Sequence, residues 1–450
     1  MSGRKLFGTD GIRGVANAYP ITAEMCLKLA KGMEACNILK AGDFVIVGRD
    51  TRISGDMLEH ALAAAFCSCG IRVGLLGIVP TPAVSILCRK LSAVAGIMIS
   101  ASHNPFGDNG VKIFNSSGCK LTDLQEAELE KIMLDDAFSS QFMITGSRVG
   151  RTQCEEHSLG LYLNKIRESF SFKNQTSSMR MVLDLANGVF SSIAPELLRE
   201  YGFDVVSMHD SPDGININHD CGATNPQTLS RGVIEYQAQV GLAFDGDGDR
   251  VLLADENGNT IDGDHILAIL AQSENFQCPE LVSTLMSNLA LEKYLASHGV
   301  KLARTAVGDR YISEYMQQSE ATLGGEPSGH IIVKSHALTG DGLFAALKVL
   351  EYAINSGKKL SELNNLFRSY SSFSKNVAVS DKAVINDQKV IKETEKIRTA
   401  LGNVGRLILR FSGTEPVIRL YLESENSSEL KCMAESLAAT IENVQGCVTT

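Results

Sequence analysis

Three stretches of the chain repeat one order: an apolar run, a polar turn, a helical pattern, a glycine and a second apolar run. In the first, apolar residues fill 44–48, a helix starts near Asp56, Gly70 follows, and the second run covers 71–76. The second has runs at 181–185 and 203–206 around a helix from about Ser191 and Gly202; the third has runs at 281–286 and 300–303 around a helix at 289–297 and Gly299. Glycine is suited to the point where a helix stops, because it takes the left-handed cap without a Cβ clash. Strand, helix and strand in this order make right-handed crossovers, so the pattern predicts three α/β domains with mainly parallel or mixed sheets covered by helices. One large sheet is the alternative, but the polar stretches 135–156 and 255–263 read as crossings between units. The tail departs from the pattern. Helical stretches at 342–356 and 359–369 lead to a strand at 374–379, a charged helix at 387–400, strands at 406–411 and 417–422, and a last helix at 428–444. That order predicts a smaller C-terminal α+β domain. The expected boundaries are 1–152, 153–254, 255–368 and 369–450.

Composition narrows the class. The chain has 450 residues, 44% hydrophobic and 21% charged, with no long biased run, which excludes disordered and collagenous proteins. Its formal charge of −10 and the lack of a Lys/Arg block argue against nucleic acid as a partner and favour a small molecule. Eleven cysteines without paired CxxC motifs suggest buried free thiols in a reducing compartment. No uncharged run is long enough to span a bilayer and residues 1–8 lack a signal-peptide core, so a cytoplasmic location without a membrane partner is expected.

Four loops carry candidate chemistry. In 243–253, Asp245, Asp247 and Asp249 alternate with glycines between apolar strands. Three carboxylates so close repel one another unless a hard cation lies among them, and oxygen ligands suit Mg²⁺ or Ca²⁺. An EF-hand is disfavoured, because Arg250 stands where that loop needs glycine and strands flank it; a solvated Asp-Gly hairpin turn is the remaining alternative. In 96–114 an apolar strand ends in Ser102, His103, Asn104 and Pro105, at the kind of strand terminus where open α/β sheets place ligands. Ser102 could act as a nucleophile there, or cap a turn beside a surface histidine. A serine-hydrolase reading fails for want of a G-x-S-x-G elbow. In 323–333, Glu326, Ser328 and His330 alternate, so in an extended stretch they would face one way and suit polyol recognition. In 410–419, two arginines flank Ser412, Gly413 and Thr414, the parts of an anion nest or of a plain hairpin. Gly/Asp/Arg loops at 8–14 and 307–311 add weaker signals.

Taken in order, KLFGTDGIRG at 5–14, ISASHNPFGDNGVKIF at 99–114, AFDGDGDR at 243–250, GEPSGH at 325–330 and RFSGTEPVIR at 410–419 resemble the α-D-phosphohexomutase superfamily over essentially the whole chain. Within it, the opening motif, CGATNP at 221–226 and VGDRYI at 307–312 are most similar to the bacterial phosphoglucosamine mutases. The resemblance implies four domains around a central cleft. It also implies interconversion of glucosamine 6-phosphate and glucosamine 1-phosphate through a hexosamine 1,6-bisphosphate, toward UDP-N-acetylglucosamine. Phosphomannomutase or phosphoglucomutase activity by the same machinery is the alternative.

The resemblance further implies a phosphoserine at Ser102, which with Asp245, Asp247 and Asp249 would surround Mg²⁺, and Lys112 as general acid/base. Three aspartates and a phosphate of about −2 against one +2 ion leave roughly −3. Arg13, His103, Lys112 and Arg250 are the cations expected to offset that excess. Gly308, Asp309, Arg310, Glu326, Ser328 and His330 would hold the sugar, and Arg410, Ser412, Gly413, Thr414 and Arg419 the distal phosphate. A homodimer is compatible with this reading. One departure stands out: phosphoglucosamine mutases usually carry Gln or Asn where this chain has Pro327, which offers neither a side-chain amide nor a backbone N–H.

Overall fold

The computed structural model describes residues 6–8, 10–135, 144–172, 176, 179–273, 276, 279–411 and 416–448. The chain divides into two compact units: residues 1–286 with 300–366, and residues 287–299 with 367–450. The first unit holds three sheets. The largest has strands in the order Phe7–Gly8, Gly11–Val15, Asp108–Asn115, Ala95–Ile99, Phe44–Arg49, Arg72–Ile78 and Thr152–Cys154. Phe44–Arg49 runs parallel to both its neighbours, whereas Asp108–Asn115 returns antiparallel to Ala95–Ile99, with Lys112 opposite Met98. The sheet is therefore mixed. Ala95–Ile99 is buried at every position, as a strand covered on both faces requires.

The second sheet orders Thr260–Ile261, Val251–Ala254, Val240–Phe244, Arg180–Asp184 and Asp204–Met208. Its last three are parallel, and Val240–Phe244 pairs antiparallel with Val251–Ala254. The third orders Lys301–Thr305, Glu280–Thr284, Leu323–Gly325 and Ile331–Val333, the last two forming an antiparallel hairpin. The three expected crossovers are present, and Gly70, Gly202 and Gly299 all take positive φ just after their helices. Helix ends are set locally. Thr122 and Gln125 form a reciprocal capping box at Asp123–Met133, and Asp341 caps Gly342–Ser356 by accepting from the Phe344 N–H.

The second unit has a three-stranded antiparallel sheet of Ser371–Ala378, Val417–Ser424 and Gly405–Phe411, packed with helices Gln388–Leu401 and Leu430–Val448 around Val390, Ile397, Leu420, Leu437 and Ile441. This is the α+β order read from the tail.

Several expectations need correction. The first sheet reaches Cys154 and the second reaches Ile261, past the breaks placed after 152 and 254, because short edge strands form within the polar stretches used to divide them. Helix Leu289–Ser297 groups with the C-terminal unit although both strands flanking it in sequence lie in the first. The helix expected over 359–369 covers only Leu360–Asn364. Cys26, Cys69, Cys88, Cys119 and Cys221 are free and buried, but the free Cys36 and Cys67 are half-buried and the free Cys154 and Cys432 are exposed. No described helix is long and apolar enough to cross a membrane.

Candidate active site

Strand Ala95–Ile99 delivers the chain to Ser102, which is fully buried and held at φ 52°. A non-glycine residue keeps that left-handed backbone only where its surroundings enforce it. Opposite it lies the turn of the hairpin that pairs Phe244 with Val251; this turn presents Asp245, Asp247 and Asp249, all buried. The Ser102 hydroxyl donates to Asp245 Oδ2 at 2.6 Å. Carboxylate oxygens of the three aspartates lie within 4.8 Å of one another. Asp247 Oδ1 and Asp249 Oδ1 are buried without a hydrogen-bond partner. Orphaned buried oxygens beside a third carboxylate are what a hard divalent cation satisfies, so the residues fit Mg²⁺. The loop is thus a hairpin turn, but an enclosed one rather than a solvated one.

Charge in this pocket is arranged by Lys112. Its ammonium is buried and donates to Asp247 Oδ2 at 2.8 Å and Asp249 Oδ2 at 2.9 Å, with Asp10 Oδ2 at 3.2 Å. Burial opposes the charge, yet Asp10, Asp247 and Asp249 hold its pKa well above the ordinary lysine value, so it stays protonated. Asp249, against the cost of burial, is held well below the carboxylate range by Lys112 and His330. Asp245 goes the other way: burial, reinforced by Asp249 and Asp247, pushes it well above that range. Arg13 pairs with Asp10 and donates to the Ala101 carbonyl at 3.1 Å, which brings the N-terminal loop to the serine loop.

His103 does not supply the expected positive charge. Its Nδ1 lies 2.9 Å from Arg250 Nη1 and 3.4 Å from Ser102 Oγ. Burial and the guanidiniums of Arg250 and Arg13 push its pKa down to about 4, so it is neutral at neutral pH and accepts from Arg250. Of the four expected cations, Arg13, Lys112 and Arg250 pair with carboxylates here: Arg13 with Asp10, Lys112 with Asp247 and Asp249, and Arg250 with Asp249 at 3.8 Å.

The loop 326–330 is a closed turn rather than an extended stretch: the Glu326 N–H donates to the His330 carbonyl at 3.0 Å and the Gly329 N–H to the Glu326 carbonyl at 3.0 Å. Its side chains therefore diverge. Ser328 is exposed and Glu326 half-buried, while His330 is buried, with Nε2 accepting from the Gly340 N–H at 2.8 Å and Nδ1 lying 3.7 Å from Asp249 Oδ2. Gly308 precedes helix Asp309–Gln318 at φ 130°, and Asp309 accepts from Lys120 at 2.5 Å. Arg310 turns elsewhere: its guanidinium is buried against Asp123 at 2.6 Å and against Glu126, both on helix Asp123–Met133. It joins two α/β sub-structures and does not face the aspartates.

In the C-terminal unit, Arg410 and Arg419 are register partners on adjacent strands. Like charges directly opposite repel, and burial together with Arg419 lowers the Arg410 pKa. An anion between them would relieve both costs. Ser412, Gly413 and Thr414 lie outside the described residues.

Contacts that sequence reading missed complete the site. Asp10 accepts from Lys120 as well as Arg13, and Lys120 also reaches Asp309, so one lysine links segments 110 and 189 residues apart. Thr81 donates its hydroxyl to Asp247 Oδ2 at 2.6 Å and its N–H to the Asp247 carbonyl at 2.9 Å.

The chain is similar to known proteins along nearly its whole length. Residues 4–140, 161–258 and 262–370 match the alpha/beta/alpha domains I, II and III of phosphoglucomutase/phosphomannomutase, and residues 375–440 match its C-terminal domain. The chain is 42% identical over 448 residues to a phosphoglucosamine mutase of Gluconacetobacter diazotrophicus, covering 98% of each, and 43% identical over 448 residues to one of Parvibaculum lavamentivorans, covering 98% of this chain and 99% of the relative. Its fold is similar to a phosphoglucomutase/phosphomannomutase family protein from Burkholderia thailandensis, with TM-score 0.79, 24% identity and 97% of each chain covered. It is also similar to the Aspergillus fumigatus N-acetylphosphoglucosamine mutase in complex with GlcNAc-6P and magnesium, with TM-score 0.66, 17% identity, and 98% of this chain and 96% of that one covered. With all four domains matched in order, the chain belongs to the phosphoglucomutase/phosphomannomutase family.

Proposed function

We propose that the chain is a phosphohexomutase that interconverts glucosamine 6-phosphate and glucosamine 1-phosphate by way of a phosphoserine at Ser102. The observation that carries this reading is the 2.6 Å hydrogen bond from the Ser102 hydroxyl into a buried aspartate triad with two orphaned oxygens. In the first half-reaction the Oγ–phosphorus bond of Ser102 breaks as a sugar oxygen bonds to phosphorus; the departing Oγ takes a proton along its bond from Asp245, and the proton lost by the sugar hydroxyl replaces it, giving a hexosamine 1,6-bisphosphate. The intermediate reorients, and Ser102 takes a phosphoryl group from its other end; as Oγ bonds to phosphorus and the sugar oxygen–phosphorus bond breaks, the hydroxyl proton leaves along the bond to Asp245 and the sugar oxygen takes up a proton in exchange. No cofactor is consumed. Asp245, Asp247 and Asp249 would hold Mg²⁺, which when bound offsets negative charge on the transferring group.

Lys112 acts as a fixed positive charge and hydrogen-bond donor. A fully buried ammonium among three carboxylates is poorly placed to accept a proton. Arg13 and Arg250 add charge from either side of Ser102, and His103 orients Arg250. Glu326, Ser328 and Asp309 are the sugar-facing residues of this reading, while His330 braces the loop. The paired Arg410 and Arg419 would grip the phosphate that is not reacting.

Substrate choice is tested by comparing kcat/KM on glucosamine, glucose and mannose phosphates. A preference for the amino sugar is expected. Pro327 is the observation favouring the alternative, because its side chain carries no donor or acceptor. A strong preference for a neutral hexose would replace this substrate while leaving the mechanism in place.

The backbone behind the aspartates supplies a second prediction. The Val189 N–H donates to the Gly246 carbonyl at 3.0 Å, and a Cβ on Gly188 would stand 2.5 Å from that oxygen. Gly188→Ala must displace the Asp245–Asp249 turn. Turnover is expected to fall about tenfold or more, since small misplacements of reacting groups cost that much. Circular dichroism should show the fold retained, and an unchanged kcat would contradict this account of the turn.

A further inference from the structure

The serine loop is built around a side chain outside the reacting set. Arg52 is buried directly after strand Phe44–Arg49, and all five of its guanidinium N–H donors are engaged. Nε donates to Asp50 Oδ2 at 2.9 Å. Nη1 donates to the carbonyls of Pro105 and of Asp108, the latter at 2.9 Å; Nη2 donates to those of Ser102 at 3.0 Å and Asn104 at 2.8 Å. Four carbonyls of one seven-residue arc, from 102 to 108, thus converge on a single planar cation. Asp50 fixes the fork: it accepts the Arg52 backbone N–H at 3.1 Å and the Ser100 hydroxyl at 2.7 Å, and Ser100 Oγ accepts the Ser102 N–H at 2.8 Å. From the second sheet's side, Asn218 Nδ2 donates to the Ser102 carbonyl at 2.8 Å and the Asn104 carbonyl at 3.1 Å. Both backbone polar groups of Ser102 are therefore tied, while its hydroxyl alone points at Asp245.

We infer that Arg52, oriented by Asp50 and seconded by Asn218, is the positioning residue that locks Ser102 in its left-handed conformation for phosphoryl transfer, and that it governs turnover rather than sugar affinity. The inference rests on the phosphoserine reading above. Burying a guanidinium is expensive unless every donor is satisfied, and one carboxylate with four carbonyls of a single loop satisfies this one. Lysine has three donors from a point charge and could not reproduce the fork. The Arg52 guanidinium hydrogen-bonds Asp50 and the carbonyls of the loop, not Ser102 Oγ or the aspartates' free oxygens, so its effect passes through the loop backbone.

The test uses the full-length enzyme as Arg52→Met, Arg52→Lys and Asn218→Ala, with Ser102→Ala as control. Steady-state kcat and KM are measured alongside the rate at which glucose 1,6-bisphosphate phosphorylates residue 102, followed by intact-protein mass spectrometry. Arg52→Met is expected to lower kcat about 100-fold and Asn218→Ala about 5-fold, with KM changed less than about threefold and the phosphorylation rate falling in step. Arg52→Lys should recover part of the loss. If Arg52→Met does not fold, Asn218→Ala decides. Folded variants with kcat within twofold of the parent, or with KM alone altered, would overturn the inference. An active Ser102→Ala would instead overturn the phosphoserine reading beneath it, whatever the other variants do.

Discussion

Ser102→Ala is expected to abolish mutase turnover, by at least about 10⁴-fold, because loss of a covalent nucleophile leaves only binding and electrostatics to act. The change should spare the fold. Ser102 sits in a loop held by backbone contacts to Arg52, Asn218 and Ser100, none of which uses its hydroxyl. Its Oγ contacts Asp245 and, more distantly, His103 Nδ1. Peptide mapping by mass spectrometry supplies the second arm: phosphate should be found on Ser102 in the parent and be missing from the variant. Isomerisation that survives the substitution would remove the phosphoserine mechanism, and inorganic phosphate released as fast as substrate disappears would make the parent a phosphatase.

Chelation of divalent metal should reduce turnover by about 10³-fold or more, with recovery on adding Mg²⁺, since an electrophilic cation at a transferring phosphoryl group contributes several kcal/mol. Asp247→Asn should show a similar loss that Mg²⁺ does not reverse. The basis is the uneven load on the triad. Lys112 serves Asp247 and Asp249 through one oxygen each, leaving Oδ1 of both unsatisfied, and Asp245 is driven toward protonation by burial and by its two neighbours. The nearby cations leave the two Oδ1 oxygens without a hydrogen bond, and a transferred phosphate would add further negative charge beside them. A rate indifferent to chelator, or an Asp247→Asn enzyme with parental activity, would show that the triad does not work through a metal.

Much of this site could be read from the chain, and the unread part has a common cause. Asp245, Asp247 and Asp249 are legible because their chemistry is crowded into five residues, and Ser102 because an apolar strand ends just before it. Helices Leu289–Ser297 and Gly342–Ser356 follow from periodicity and turn chemistry. Arg52 was hidden: an arginine in a charged segment after a strand looks solvated until the loop at 102–108 closes around it. Asp10, Lys120 and Thr81 were hidden likewise, since their partners are distant in sequence. For Glu326, Ser328 and His330 only the expected extended geometry fails: their alternation is real, but the hydrogen bonds of a tight turn override the strand geometry that alternation presumes. His103 misled because charge depends on surroundings, and burial together with two guanidiniums leaves it neutral.

The seating of Arg310 carries a consequence for how the enzyme responds to its solvent. Because its guanidinium and Glu126 are both shut away from water, dissolved salt cannot reach between them as it does with a surface ion pair. Pulling helix Asp309–Gln318 from helix Asp123–Met133 would strand both charges in a medium that solvates neither. Those two helices should travel as one body through the catalytic cycle and stay joined at ionic strengths that dissolve the exposed Arg167–Glu200 and Arg180–Asp204 pairs.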